Sequence, residues 1–239
     1  MRPKNNRAVS SSEAAGRRLA ADVVACQACP RLRNYCSEIG REKRRAYREE
    51  TYWAAPVPNF GSAVAGLLIV GLAPGAHGAN RTGRMFTGDR SGEWLFRALH
   101  RAGFANQATW ESREDGMELR DCVITNICHC APPGNKPNPE ELSNCRPFLL
   151  RTLQLTQPRV ILCLGQLAWT AVWRFAMEQD WHEGSRPEFG HGAQVELSGP
   201  RWILGSYHPS QQNTFTGRLT EPMLDAVMET ARKLIRRSS

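Results

Sequence analysis

The sequence predicts an α/β fold three layers deep, with helices on both faces of a central parallel sheet of about four strands. Two observations predict it. Continuous apolar runs of strand length at residues 67–70 and 160–164, and the mainly apolar segment 123–127, are each bounded by turn signals, as strands buried on both faces are. Between and after them, apolar residues recur at helical spacing: Trp94, Leu95, Ala98 and Leu99 in one segment, Leu142, Cys145, Phe148, Leu149 and Leu153 in the next, Leu167, Ala168, Ala171, Val172 and Phe175 in a third. Strands that alternate with helices in this way pair in parallel.

Taken in order, residues 1–12 are polar and without periodicity, which reads as a disordered tail ahead of a single domain over residues 13–239. Ser12 is placed to cap a helix through Ala14, Leu19, Ala20, Val23 and Val24, ending at Cys26-Gln27-Ala28-Cys29-Pro30. Residues 31–52 interleave Arg41, Lys43, Arg44, Arg45 and Arg48 with Glu42, Glu49 and Glu50, the pattern of a solvated helical face. Pro56, Pro58 and Gly61 mark a loop into the first strand. Ser91 is the expected cap of the helix carrying Trp94, and Pro139 with Glu140 opens the helix that follows the second strand. Gly165 closes the third strand. Residues 195–197 and 202–204 flank Ser198-Gly199 as a hairpin, and a last helix runs from Glu221 through Leu224, Val227, Met228 and Leu234.

With 239 residues, 41% of them hydrophobic, the chain can bury one sizeable core. Its net charge of +8 points to an anionic partner, nucleic acid being the commonest. Arg2, Lys4 and Arg7 are followed by no apolar segment, so no targeting signal is expected. The longest apolar stretch, residues 63–73, is broken by Gly66 and Gly71 and is too short for a bilayer. A cytoplasmic, monomeric protein with no membrane partner is the expectation. In that compartment the eight cysteines read as metal ligands or core residues rather than disulfides. Cys26 and Cys29 form a chelating pair and Cys130 with Cys145 a wider one; four thiolates suit zinc or an iron–sulfur cluster. Cys128 is a rival ligand, Cys163 lies in a strand, and Cys36 and Cys122 carry no assignment.

Three strand ends run into polar loops: after Val70, after Ile127 and after Leu204. In a parallel sheet such ends share one edge, so His77, Asp89, Asn126 and His208 are expected to converge on one cleft. The first loop, residues 71–89, is rich in glycine, which lets backbone approach a ligand closely. Asn126 offers donor and acceptor together, Phe86 a face for stacking, and His208 a proton donor. Asp89 is also placed to cap the next helix. No phosphate loop of the Walker type is present, which disfavours a nucleotide hydrolase.

The stretch Gly71-Leu72-Ala73-Pro74-Gly75-Ala76-His77-Gly78-Ala79-Asn80-Arg81-Thr82-Gly83-Arg84-Met85-Phe86-Thr87-Gly88-Asp89 closely resembles motif A of the family 5 uracil-DNA glycosylases, the UDGb group. His208-Pro209-Ser210, followed by Gln212-Asn213-Thr214 and Gly217-Arg218-Leu219-Thr220, resembles motif B, and Cys130-Ala131-Pro132-Pro133 lies between the two. The similarity reaches from about Cys26 to Thr220; Met85 departs from it, standing where proline is common. The resemblance implies a uracil-DNA glycosylase-like fold. It implies hydrolysis of the N-glycosidic bond of uracil, and of other deaminated bases such as hypoxanthine and xanthine, in double-stranded DNA by base flipping. On it, Asp89 activates water and stabilises the oxocarbenium ion, His208 donates to the leaving base and Asn126 reads the base edge. Gly71, Leu72, Ala73, His77, Gly78, Asn80 and Phe86 bind substrate. Arg81, Arg84, Ser206, Ser210 and Gln211 hold the DNA. Cys26, Cys29, Cys130 and Cys145 carry a [4Fe-4S] cluster near the N-terminal segment. Only Lys136 among the few lysines lies near a motif, which favours hydrolysis over a Schiff-base lyase. Two other functions compete: an iron–sulfur electron-transfer protein, which leaves both motifs unused, and a non-catalytic nucleic-acid binder, which leaves Asp89 and His208 idle.

Overall fold

The computed structural model describes residues 6–237. Its helices and strands, in chain order, are α1 (Asn6–Ala25), α2 (Pro30–Glu42), β1 (Phe60–Gly61), β2 (Leu67–Gly71), α3 (Ala79–Thr82), α4 (Arg90–Arg101), β3 (Cys122–Asn126), α5 (Pro139–Thr156), β4 (Val160–Leu164), α6 (Gln166–Glu178), β5 (Gln194–Leu197), β6 (Arg201–Ser206), α7 (Gln211–Phe215) and α8 (Glu221–Arg237). One six-stranded sheet runs β1-β3-β2-β4-β6-β5. The four inner strands are parallel, as the apolar runs predict; β1 and β5 pair antiparallel at the edges.

Every residue of β2, β3 and β4 is buried, because helices cover both faces. Side chains alternate across a strand. Leu67 and Ile69 therefore enter the core shared with Leu95, Phe96 and Leu99 of α4 and Leu224, Val227 and Met228 of α8. Leu68 and Val70 face the opposite core, with Leu149 and Leu153 of α5 and Trp169 and Val172 of α6. A third, smaller cluster joins Leu32 and Cys36 of α2 to Cys128, Cys130 and Ala131 in the loop after β3.

Two ends differ from the sequence expectation. Helix α1 begins at Asn6, inside the segment read as a tail, and needs no cap at Ser12; residues 1–5 of that segment lie outside the described residues. The cap of α4 is Asp89, whose Oδ1 accepts from the Gly92 N–H at 3.2 Å, rather than Ser91. Aspartate has the stronger, charged acceptor and sits one residue before the helix begins. Helix α5 opens as expected and is fixed by reciprocal bonds between Asn138 and Glu141, each 2.8 Å. Glu141 also holds Arg31 through two bonds of 2.7 and 2.8 Å, tying the start of α2 to α5. Among the described residues no helix is long and apolar enough to cross a membrane.

Candidate active site

The register of the sheet sets the site. Gly71 at the end of β2 stands directly beside Asn126 at the end of β3, and Leu164 of β4 stands beside Ser206 of β6. The loops that leave these ends all emerge at the carboxyl edge of the parallel strands.

At Gly71 the backbone passes so close to two side chains that a Cβ would overlap Asn126 Oδ1 and stand 2.8 Å from Phe86 Cζ. Asn126 is 2% exposed; its Nδ2 donates to Met85 Sδ at 3.1 Å, while its Oδ1 is buried with no partner. A methionine sulfur only accepts, so it takes one N–H of the amide and leaves the oxygen as the open acceptor. An orphaned buried acceptor costs about 1–3 kcal/mol, which a ligand donor at that point would recover. The Phe86 ring lies 5.7 Å from the His208 ring at an interplanar angle of 31°. Phe86 takes a left-handed backbone, φ 56°, a conformation a bulky residue seldom adopts. The turn that imposes it is locked by the Thr82 and Thr87 hydroxyls, 2.6 Å apart, and by a 2.9 Å bond from Thr87 Oγ1 to Arg84 O. Burial pushes the His208 imidazole down to about 4, so it is neutral at pH 7 and able to donate one N–H.

Asp89 lies three residues beyond Phe86. Its Oδ1 caps α4, and a Cβ at Gly75 or Gly78 would stand 2.9 or 2.5 Å from its Oδ2. The bare backbone of the glycine loop is what leaves room for the carboxylate. Burial raises the Asp89 pKa above the ordinary 3.8, opposed by bonds from Gly92 and Ser91.

Other sequence-predicted residues go elsewhere. Arg81 is 6% exposed: it pairs with Glu50, donates to His77 O at 2.8 Å and Gly88 O at 3.0 Å, and lies over the Tyr47 ring at 3.8 Å. Arg84 forms a two-bond fork with Asp115 at 2.8 and 2.7 Å, both side chains 6% exposed. Expected at phosphates, both arginines instead brace the loop from within, because the carboxylates of exposed Glu50 and buried Asp115 have already taken their guanidinium groups. Asn80, expected at the substrate, is wholly buried and donates to Cys36 O and Ala76 O at 3.4 and 3.2 Å, joining the loop to α2. His77 turns to the Tyr52 hydroxyl, 3.1 Å from its Nδ1, and not to Phe86. Leu72, half-buried, packs against the core under α5 and α6, and half-buried Ala73 against the cysteine cluster. Ser206 is buried within β6 and is no surface contact, whereas Ser210 caps α7 and Gln211 is exposed. Two arginines outside the predicted set are exposed beside the site: Arg90, over the ring of the 66% exposed Phe215, and Arg218, over Tyr207, at 4.4 and 4.6 Å. Arg90 follows Asp89 directly and Arg218 falls in motif B, but nothing in their spacing marks them as exposed.

Cys26, Cys29, Cys128, Cys130 and Cys145 line one cavity with Arg33 and His129. Among the described residues no group of three His, Cys, Asp or Glu stands ready to hold a metal ion. Two nitrogens of Arg33, Nε and Nη1, are buried there without a partner, its Nη2 alone donating to Ala54 O at 3.3 Å. A cavity of thiols with an uncompensated guanidinium fits an anionic, thiolate-held group. Cys122 and Cys163 are fully buried in strands, where burial pushes their thiols up.

Comparison with known proteins agrees with this geometry. The Uracil DNA glycosylase superfamily matches residues 58–232. A type-5 uracil-DNA glycosylase of Mycobacterium bovis is 48% identical over 89% of this chain and 79% of its own. Those of Pyrobaculum aerophilum and Thermus thermophilus are each 44% identical, over 87% and 89% of this chain and 88% and 94% of theirs. Type-4 uracil-DNA glycosylases match more distantly, that of Archaeoglobus fulgidus at 31% identity over 64% of this chain and 70% of its own. With both motifs seated at one edge of the sheet, the chain belongs to the uracil-DNA glycosylase superfamily and, within it, to the type-5 uracil-DNA glycosylases.

Proposed function

We propose that this chain removes uracil, and with it hypoxanthine and xanthine, from double-stranded DNA by hydrolysing the N-glycosidic bond and leaving an abasic site. The observation that carries this is the joined set Gly71, Asn126, Phe86 and His208, with one unpartnered acceptor aimed into it. An extruded base lies on Phe86. Its ring N–H satisfies Asn126 Oδ1, a match that uracil and hypoxanthine make and cytosine, with an acceptor at that ring position, does not.

In the reaction the bond from C1′ to the base nitrogen breaks and its electron pair leaves with the base. The neutral His208 donates a hydrogen bond to the anion as it forms, an interaction strongest in the transition state. Asp89, raised by burial toward better proton affinity, stabilises the positive sugar and takes a proton from the water whose oxygen bonds to C1′. Arg90 and Arg218 supply phosphate contacts, and Phe215, carried by α7 within motif B, fills the space the base vacates.

The group that Cys26, Cys29, Cys130 and Cys145 would hold is a [4Fe-4S] cluster, with Arg33 offsetting its charge. It supplies a structural tie between α2 and the loop after β3 rather than a step of hydrolysis. The electron-transfer and binding-only alternatives gain nothing from the Phe86 pocket. A duplex oligonucleotide holding one uracil or one hypoxanthine, incubated with the protein, treated with alkali and run on a gel, tests the function. A cleaved strand only after alkali is expected. An intact strand, or cleavage without alkali, contradicts the proposal.

A further inference from the structure

We propose that His191 is a positioning residue for His208, acting through the Tyr207 backbone; the inference rests on the part given to His208 above. His191 stands in the loop before β5, seventeen positions from His208 and outside both motifs. Its Nδ1 accepts from the Tyr207 N–H at 3.2 Å and lies 3.4 Å from Ser206 Oγ, which itself donates to Tyr207 O at 3.0 Å. Its Nε2 lies 3.3 Å from Met223 O, in the first turn of α8. A carbonyl only accepts and a backbone N–H only donates. One neutral tautomer, with the proton on Nε2, therefore satisfies both ends of the ring. The ring also lies 5.2 Å from the Tyr207 ring, tilted by 36°.

On the far side of the same dipeptide, Asn213 Nδ2 donates to His208 O at 2.8 Å. The chain is thus gripped at Tyr207 N by His191 and at His208 O by Asn213, and the His208 side chain leaves the backbone between the two grips. Releasing the first grip frees the Tyr207 backbone to rotate and carries the His208 ring off its place beside Phe86. A displacement of about 1 Å in such a group is enough to cost on the order of a hundredfold in rate. No other side chain bonds the Tyr207 N–H among the described residues.

Two substitutions separate the ends of the ring. His191→Asn puts an amide oxygen close to where Nδ1 stands and keeps an acceptor for Tyr207. His191→Gln reaches toward Met223 O and gives that acceptor up. Single-turnover base release is expected to fall about tenfold or more in H191Q, with the Kd for duplex DNA within about twofold, and to stay within about threefold of the parent in H191N. Equal rates in the two variants, or a loss carried by Kd alone, would overturn the proposal. Ring 15N shifts of His191 in the unsubstituted protein test the same claim without a variant that must fold: a protonated Nε2 and bare Nδ1 are expected, and a proton on Nδ1 refutes it. H208N run beside them separates the two ideas. Full activity in H208N removes the role given to His208, whereas the tautomer and the contrast between Asn and Gln speak to His191.

Discussion

Phe86 and His208 stand ring to ring, 5.7 Å between centroids, although 122 positions of sequence separate them. One comes from the loop after the first parallel strand of the sheet in sequence, the other from the loop after the last, and the parallel register alone brings them to one edge. The pairing gives a stacking face beside a neutral donor. His208→Asn is expected to lower base release by about a hundredfold or more while duplex binding changes little, as loss of a donor to a developing anion does. Single-turnover kinetics beside a binding titration checks it.

The bare edge of Gly71 is the floor of the same space. Gly71→Ala places a methyl group against Asn126 Oδ1 and 2.8 Å from Phe86 Cζ. Overpacking of this kind costs about 1–3 kcal/mol of stability. Thermal melting should show a folded protein, and the alkali assay should show base release reduced by more than about a hundredfold. A G71A protein with the parent's rate would mean that the base binds elsewhere.

Arg84 and Asp115 make a different forecast from the one their charge suggests. Removing one partner of a buried pair leaves the other uncompensated, a loss of about 3–5 kcal/mol. Arg84→Met should therefore lower the melting temperature by many degrees. The Arg84 guanidinium holds the Asp115 carboxyl well below its ordinary 3.8. The folded form therefore binds that proton less readily than the unfolded chain. The pair's contribution is present above the ordinary value and is lost as pH falls below it. Arg90→Ala and Arg218→Ala should instead leave melting unchanged and each reduce the salt slope of DNA binding by about one ion. Melting curves and binding titrations at several salt concentrations distinguish Arg84 from the two exposed arginines.

These arginines also show where the sequence was legible and where it was not. Strands β2 and β4 announce themselves as unbroken apolar runs, since burial on both faces disfavours polar positions, and β3 departs from that only at Thr125 and Asn126, where it reaches the site. Asn126 and His208 were placed correctly at one edge by fold class alone. Strand β1 is two residues long, too short to produce a period, whereas the hairpin read at residues 195–197 and 202–204 is the antiparallel pair of β5 and β6. Charge says nothing of depth: Arg81 and Arg84 find Glu50 and Asp115 each 31 residues away, and no local pattern signals such a partner. His191 lay in a loop without spacing or motif, and only the bond to Tyr207 gives it a place.

The cysteine cavity makes a prediction of its own. If a cluster fills it, the purified protein is brown, with absorption near 400 nm that Cys26→Ser abolishes. The Arg31–Glu141 clip should keep α2 docked even then, so circular dichroism of C26S should retain most of its helical signal. Stoichiometric zinc in colourless protein would replace the cluster with a metal ion.

The pH dependence of base release tests the parts proposed for His208 and Asp89. His208, held near 4, remains neutral through the mildly acidic range and keeps one N–H to donate there. Asp89 has its pKa raised above 3.8 and must be ionised, so the rate falls with acid as that carboxyl protonates. The most direct test of the whole account is Asp89→Ala on a duplex holding one uracil, with released uracil and bound DNA measured in the same sample. The pocket described here predicts uracil release lost by at least about a thousandfold with the duplex still bound; release at the parent's rate would contradict it.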